Sequence, residues 1–171
     1  MQEVRPIGAR PLKSAIDTLR PYLQGASVLD LYAGQGRFGI AAADEGISRV
    51  DFVENSTQTA LALSAHCRSK KFPGTVAWQV HRLDALEYLA NTMANFDVVF
   101  ADPPFPLWKL SYDTKLLSAI LRVLNQSAIL LVKHPSRMVA CSEVDSLKLW
   151  KETVFGESRL LYFEHEKAAE T

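Results

Sequence analysis

The stretch Val28-Leu29-Asp30-Leu31-Tyr32-Ala33-Gly34-Gln35-Gly36-Arg37-Phe38-Gly39 decides how this chain is read. Its apolar start is expected to be a strand, its glycines a tight turn, and a helix is expected from about Arg37. Gly34, Gly36 and Gly39 satisfy the spacing G-x-G-x-x-G, and Glu54 follows 15 residues after the last of them. Glycines in such a turn let a ligand approach the backbone, and an acid beyond the next strand can hold a ribose. By itself the pattern suits a dinucleotide fold. Asp30 argues otherwise, because a carboxylate just before the turn repels phosphates and favours a cationic ligand.

Working outward, short β-rich apolar runs recur at 27–32, 49–54, 76–81, 96–102 and 128–133. Segments of helical period separate them. Leu12, Ala15, Ile16 and Leu19 make one apolar stripe, with Pro11 suited to a first helical position. Ala60, Leu63 and Cys67 make a second, and Leu116, Leu117, Ile120, Leu121 and Leu124 a third. Alternating strands and helices predict βαβ units and a mostly parallel sheet covered on both faces. The runs 147–154 and 159–164, parted by Phe155-Gly156-Glu157-Ser158, predict a terminal antiparallel hairpin. Residues 1–166 read as one domain, with 1–22 as an N-terminal arm and helix facing substrate and 167–171 as a frayed tail.

Composition bounds the function. The 171 residues are 48% hydrophobic and 22% charged, which excludes a disordered, collagenous or coiled-coil chain. Nineteen basic and 19 acidic side chains give zero net charge, unlike a strongly basic nucleic-acid binder. That zero hides a gradient: residues 1–83 hold 10 basic and 7 acidic groups, residues 84–171 hold 9 and 12. No apolar run approaches a membrane span, and the N-terminus lacks the pattern of a signal peptide. Cys67 and Cys141 lie far apart and the four histidines form no ligand pair, so no metal and no disulfide framework is expected. A cytoplasmic protein without membrane partners is the expectation.

Two further segments carry chemistry. Asp84-Ala85-Leu86-Glu87 reads either as a helix capping box or as a carboxylate facing an adenine amine. Val98-Val99-Phe100-Ala101-Asp102-Pro103-Pro104-Phe105 delivers an acid and two prolines to the carboxyl end of an apolar strand. Prolines lack amide donors, so this turn presents acceptors only, which match the hydrogens of an exocyclic amine. Phe105 is suited to stack on a nucleobase. S-adenosylmethionine fits the other half of the site, since it offers an ammonium group, a ribose diol and an adenine but no phosphate. Asp30 can accept from the ammonium, Glu54 can take the ribose, and Gly34 and Gly36 can let the ligand approach.

Together, Asp30-Leu31-Tyr32-Ala33-Gly34-Gln35-Gly36 and Asp102-Pro103-Pro104-Phe105 resemble class I methyltransferases that modify exocyclic amines. Arg5-Pro6 with Arg10, and the ending Lys151-Glu152-Thr153-Val154-Phe155-Gly156-Glu157-Ser158, narrow the resemblance to the RsmD family. That resemblance implies an α/β, Rossmann-like S-adenosylmethionine-dependent methyltransferase with a mostly parallel seven-stranded sheet, helices on both faces and a C-terminal antiparallel hairpin. One hairpin strand should insert antiparallel between its neighbours. The implied activity is methylation of the N2 amine of a guanine in bacterial 16S rRNA. So little basic surface predicts a substrate within an assembled or assembling small ribosomal subunit rather than naked RNA, and a monomer is expected. Asp30, Ala33, Gly34, Gly36, Glu54, Asp84 and Ala85 would hold the cofactor. Asp102, Pro103 and Phe105 would be catalytic, and Arg5, Arg10, Pro104 and Lys133 would meet the RNA.

Three departures stand out. Arg5-Pro6-Ile7 and Arg10-Pro11-Leu12-Lys13-Ser14 replace the family's usual opening, Gln35 replaces a common serine, and Lys133-His134-Pro135 stands where an acid is usual. Lys133 therefore reads as a phosphate contact or as a solvated lysine at a strand end. The rival readings are an adenine-N6 or glutamine-N5 methyltransferase, a non-catalytic ribosome-assembly protein, and a dinucleotide oxidoreductase.

Overall fold

The protein is described by a computed structural model at residues 7–70, 72, 76–108 and 112–166. Arg5, the rest of the arm before Ile7, Lys71 and the tail 167–171 lie outside the described residues. Five parallel strands run β1 (Ser27–Leu31), β2 (Arg49–Val53), β3 (Ala77–His81), β4 (Phe96–Ala101) and β5 (Leu124–Pro135). Two longer strands, β7 (Leu147–Phe155) and β8 (Ser158–His165), follow a two-residue β6 (Glu143–Val144). The sheet order is β3-β2-β1-β4-β5-β8-β7-β6, with β8 antiparallel to both β5 and β7. The seven expected strands are all present, the hairpin strand inserts as the resemblance implied, and β6 adds an eighth at the edge.

Alternation along each strand explains why both faces are covered. Val28, Val50, Phe52, Val98 and Phe100 join Ile16, Leu19, Phe38 and Leu63 from α1 (Ala9–Leu23), α2 (Arg37–Ala43) and α3 (Thr57–Ser69). Leu29, Leu31, Val53 and Val99 join Tyr88, Leu89, Leu116 and Ile120 from α4 (Ala85–Asn91) and α5 (Tyr112–Leu121) on the other face. Phe38 stacks on Phe100 with ring centroids 4.4 Å apart, fixing α2 against β4. Among the described residues no helix is long and apolar enough to cross a membrane.

Two boundaries differ from expectation. Helix α1 begins at Ala9 rather than at Pro11, which becomes the third helical residue. The amide that proline lacks is one of the first-turn donors that have no helical partner anyway. Strand β5 begins at Leu124, not 128: Leu124 pairs with Phe96, the register shifts, and Ile129 pairs with Val98. The polar residues Asn125-Gln126-Ser127 sit in that irregularity, with Ser127 at φ 61°.

One buried charge lies away from the crevice. Asp51, on β2, accepts from Arg49 Nε at 3.1 Å and from Tyr88 Oη at 3.1 Å, and His81 Nε2 lies 3.5 Å away. Burial alone would raise its carboxyl, but His81 and Arg49 outweigh that and hold it at about 2. Its unfolded value is near 3.9. The stabilisation is therefore complete above about pH 4 and is lost as pH falls toward 2. Acid unfolding of the wild type should show a loss of roughly 2 kcal/mol over that window. Circular dichroism of Asp51→Asn, destabilised already at pH 7, should show a flatter acid limb.

Candidate functional site

After β1 the chain turns to β2 on one side, and from β3 it crosses to β4 on the other. The carboxyl ends of β1 and β4 thus flank the point where strand order reverses, where open α/β sheets bind ligands. Leu31 pairs with Ala101, so Tyr32 and Asp102 leave the sheet side by side, and the Asp102 amide donates to the Leu31 carbonyl at 3.3 Å.

The loop that follows β1 takes left-handed backbone at Tyr32, Gly34 and Gly36, with φ of 59°, 54° and 68°. It is pinned by Ala33 N donating to Val53 O at 3.0 Å and Gly36 N to Ala33 O at 2.7 Å. The two turn glycines do different work. A Cβ on Gly34 would meet nothing nearer than Tyr32 O at 4.0 Å, so the space above it is open. A Cβ on Gly36 would lie 2.5 Å from Leu63 Cδ1, and one on Gly39 would lie 2.4 Å from Phe52 Cε1. Those two let α2 press against β2 and α3, while Gly34 is the one that leaves room for a ligand.

Asp30 lies beneath the loop, 1% exposed, and its Oδ2 accepts from Gly39 N at 2.9 Å. Burial pushes its carboxyl well up, the Gly39 hydrogen bond opposes this, and the anions Asp102 and Glu54 push the same way as burial. Direct reach to a ligand is thus narrower than the sequence implies, because one oxygen is already tied to α2. Glu54 is half-buried, with Oε2 accepting from Gly34 N at 2.9 Å and Oε1 from Ser56 N at 2.7 Å. A carboxylate so held keeps acceptor positions for a diol, since each oxygen takes about two donors.

Asp84 caps α4: Oδ1 accepts from Leu86 N at 2.9 Å and Glu87 N at 3.3 Å. The capping reading therefore holds, and both bonds go to one oxygen. Ala85 packs inside the α4–α5 core cluster at 3% exposure. Replacing Asp84 with alanine should lower stability by about 1 kcal/mol, and asparagine, also a good cap, should restore it. Thermal melts read that effect. Cofactor affinity that falls with asparagine as well would separate a ligand contact from the cap.

At the end of β4 stand Asp102, Pro103, Pro104 and Phe105, the last opening a single 3-10 turn, Phe105–Leu107. Pro103 is buried and Pro104 half-buried, whereas the Phe105 ring is 44% exposed. Lys133, read from sequence as a phosphate contact or a solvated lysine, is only 9% exposed and is paired with an acid. Its Nζ donates to Asp102 Oδ1 at 2.8 Å and to Oδ2 at 3.0 Å, and lies 5.9 Å from the Phe105 ring centroid. No local pattern of residues marks this pair, which adjacent strands create.

A tyrosine pair without a signature in the sequence joins the site: the Tyr32 and Tyr112 hydroxyls lie 2.5 Å apart, tying the loop to the start of α5. Burial raises the Tyr32 hydroxyl, and Tyr112 adds to the effect. Arg10 is apart from the crevice, exposed on α1 beside an open cleft of about 460 Å³ shared with Lys13 and Lys151. A larger cavity, about 500 Å³, reaches Gly34 and Gln35 from the α1–α3 side but touches none of Glu54, Asp84 or Asp102.

The crevice thus gathers Asp30, Glu54, Asp84 and Asp102, with Lys133 paired to the last. Four carboxylates disfavour a pyrophosphate and favour a cationic ligand. With open space above Gly34, the set fits S-adenosylmethionine.

A family model described as "Conserved hypothetical protein 95" matches residues 1–164. The chain is 25% identical over 155 residues to "Putative rRNA methyltransferase YlbH" of Bacillus subtilis (strain 168), covering 89% of this chain and 83% of that protein. It is 33% identical over 104 residues to "Ribosomal RNA small subunit methyltransferase D" of Haemophilus influenzae, covering 60% and 53% respectively. A solved structure, "Putative methyltransferase yhhF from Escherichia coli", superposes with a TM-score of 0.80 at 21% identity, covering 98% of this chain and 90% of that one.

Proposed function

The chain belongs to the family described as Conserved hypothetical protein 95, and from that footing we propose that it methylates the N2 amine of a guanine in small-subunit (16S) rRNA, using S-adenosylmethionine. The observation that carries this reading is the acceptor-only turn Asp102-Pro103-Pro104-Phe105, set beside a crevice of carboxylates at the strand-order reversal. When bound, the cofactor supplies an electrophilic methyl group on a sulfonium.

The chain's own residues do the rest. Gly34 leaves room for the ligand at the backbone, Glu54 accepts from ribose hydroxyls, and Asp84 accepts from the adenine amine through Oδ2. Asp30, whose carboxyl burial pushes up, is drawn back toward its ionised form by an ammonium seated above it. Asp102 accepts hydrogens of the target amine, whose lone pair is otherwise delocalised into the ring and weakly nucleophilic. Holding those hydrogens favours the pyramidal nitrogen and steadies its transient positive charge. Phe105 stacks on the base and fixes its plane for in-line transfer. Arg10 and its basic neighbours on α1 face RNA phosphate. The relatives' names support the rRNA substrate, and the residues support the amine chemistry.

Labelled methyl transfer to small ribosomal subunits lacking the modification, followed by nucleoside mass analysis, tests this. N2-methylguanosine is expected. N6-methyladenosine would replace guanine by adenine as substrate, and no labelled RNA would overturn the reading. Net neutrality also predicts weak, salt-sensitive binding to naked RNA, so the assembled subunit should be the better substrate. Equal rates on protein-free rRNA would contradict that preference.

A further inference from the structure

Lys133 is a cation in the buried half of β5, residues 128–135. Ile129 to Val132 are at most 2% exposed and Lys133 itself only 9%. Burying an ammonium is unfavourable unless it is paired, so its partners identify its role. Register supplies the partner: Ala101 pairs with Val132, and the next residue on each parallel strand is Asp102 and Lys133. Two of the lysine's three N–H donors go to the two oxygens of Asp102, and its charge lies over Phe105. The same amine thus grips one of the side chains that hold the target base in the proposed reaction and lies within cation–π range of the other.

The charged groups around Asp102 sharpen the point. Burial raises its carboxyl above the usual carboxylate range, and Lys133 from β5 offsets part of that rise. From β1 comes Asp30, an acid that interacts unfavourably with Asp102 and with Glu54 beyond β2. His134, next on β5, turns away: its Nδ1 lies 2.8 Å from Pro135 O, and its ring lies against Trp108. Among the described residues, Lys133 is therefore the cation that opposes neutralisation of Asp102.

We infer that Lys133 is a positioning residue for methyl transfer, holding Asp102 ionised and in place as the amine acceptor and setting the Phe105 ring, and is not an RNA phosphate contact. This rests on the role given to Asp102 above. A protonated Asp102 would turn a donor toward the amine hydrogens and lose half its grip. Asp102 ionisation should then set the acid limb of the pH–rate profile, with Lys133 keeping that limb low.

The test compares wild type with Lys133→Met, similar in length and uncharged, and with Lys133→Arg. Carbon-13 NMR of labelled aspartate carboxyls, with Asp102 assigned through Asp102→Asn, follows its titration in the cofactor-free protein. In Lys133→Met the Asp102 midpoint should rise by about one pH unit or more, a tenfold gain in proton affinity. The acid limb of methyl transfer should move with it, kcat at neutral pH should fall, and KM for the ribosomal subunit should change less than about twofold. Lys133→Arg should restore most of kcat.

An unmoved Asp102 midpoint would overturn the inference whether or not any RNA is methylated. So would a raised KM with a salt slope reduced by about one and an unmoved acid limb, the signature of a phosphate contact. A wild type that methylates no RNA but shows the Asp102 shift would bring down the proposed substrate and leave the pairing standing. Lys133→Gln repeats the measurement should methionine pack poorly.

Discussion

Asp102→Asn should lower methyl transfer about a thousandfold while leaving cofactor affinity within a few-fold. The asparagine keeps one acceptor but loses the charge that steadies a transient cationic amine, and such groups are worth roughly 10²–10⁴ in rate. Single-turnover transfer of labelled methyl reads the first quantity and calorimetry with the cofactor reads the second. If turnover and affinity fell together, Asp102 would be a structural residue. Alanine at this position has a different consequence, because it leaves Lys133 buried and unpaired. Breaking a buried pair from one side costs about 3–5 kcal/mol. Asp102→Ala with Lys133→Met should regain most of that stability in thermal melts and none of the activity. Structure and catalysis at this position are thereby separable.

Gly34→Ala and Gly36→Ala should diverge sharply although both residues have left-handed backbone. The conformational strain is common to both, about 1–2 kcal/mol for an L residue. At Gly36 the new methyl would lie 2.5 Å from Leu63 Cδ1 and 3.1 Å from Phe52 Cε1, in the core beneath α2. Overpacking of that kind adds about 1–3 kcal/mol, so Gly36→Ala should be the less stable protein by that margin. At Gly34 the methyl meets no protein atom within contact and projects into the space assigned to the cofactor. Gly34→Ala should stay folded and lose cofactor affinity at least tenfold by calorimetry. Equal melting points would mean that the core yields at Leu63, and unchanged affinity would place the ligand elsewhere.

What could be read from sequence followed the range of the interactions. The five parallel strands were legible because each is an apolar run bounded by turn residues, and the hairpin because Gly156 sits in a two-residue loop at φ 58°. The Asp84 cap was legible since donor and acceptor are two and three residues apart. Asp30 was legible as a carboxylate at a strand end, but not its bond to Gly39, which depends on how α2 docks. The pairing of Lys133 with Asp102 was hidden because the two are 31 residues apart and only strand register aligns them. Tyr32 and Tyr112, 80 residues apart, were hidden for the same reason. The early start of β5 escaped because Leu124 falls on the apolar stripe of the preceding helix, whereas its pairing with Phe96 makes it the first residue of the strand.

The interior place of β8 bears on the order of assembly. It follows every other described strand in the chain, yet it lies between β5 and β7, with Lys133 opposite Leu160 and Leu131 opposite Tyr162. Until it emerges from synthesis, β5 is an open apolar edge, a template for wrong pairings. Such late, distant pairing is slow and leaves partly folded chains prone to association. The strand that carries Lys133 is thus completed last, so a nascent chain can form its glycine loop well before it can form a finished acceptor site.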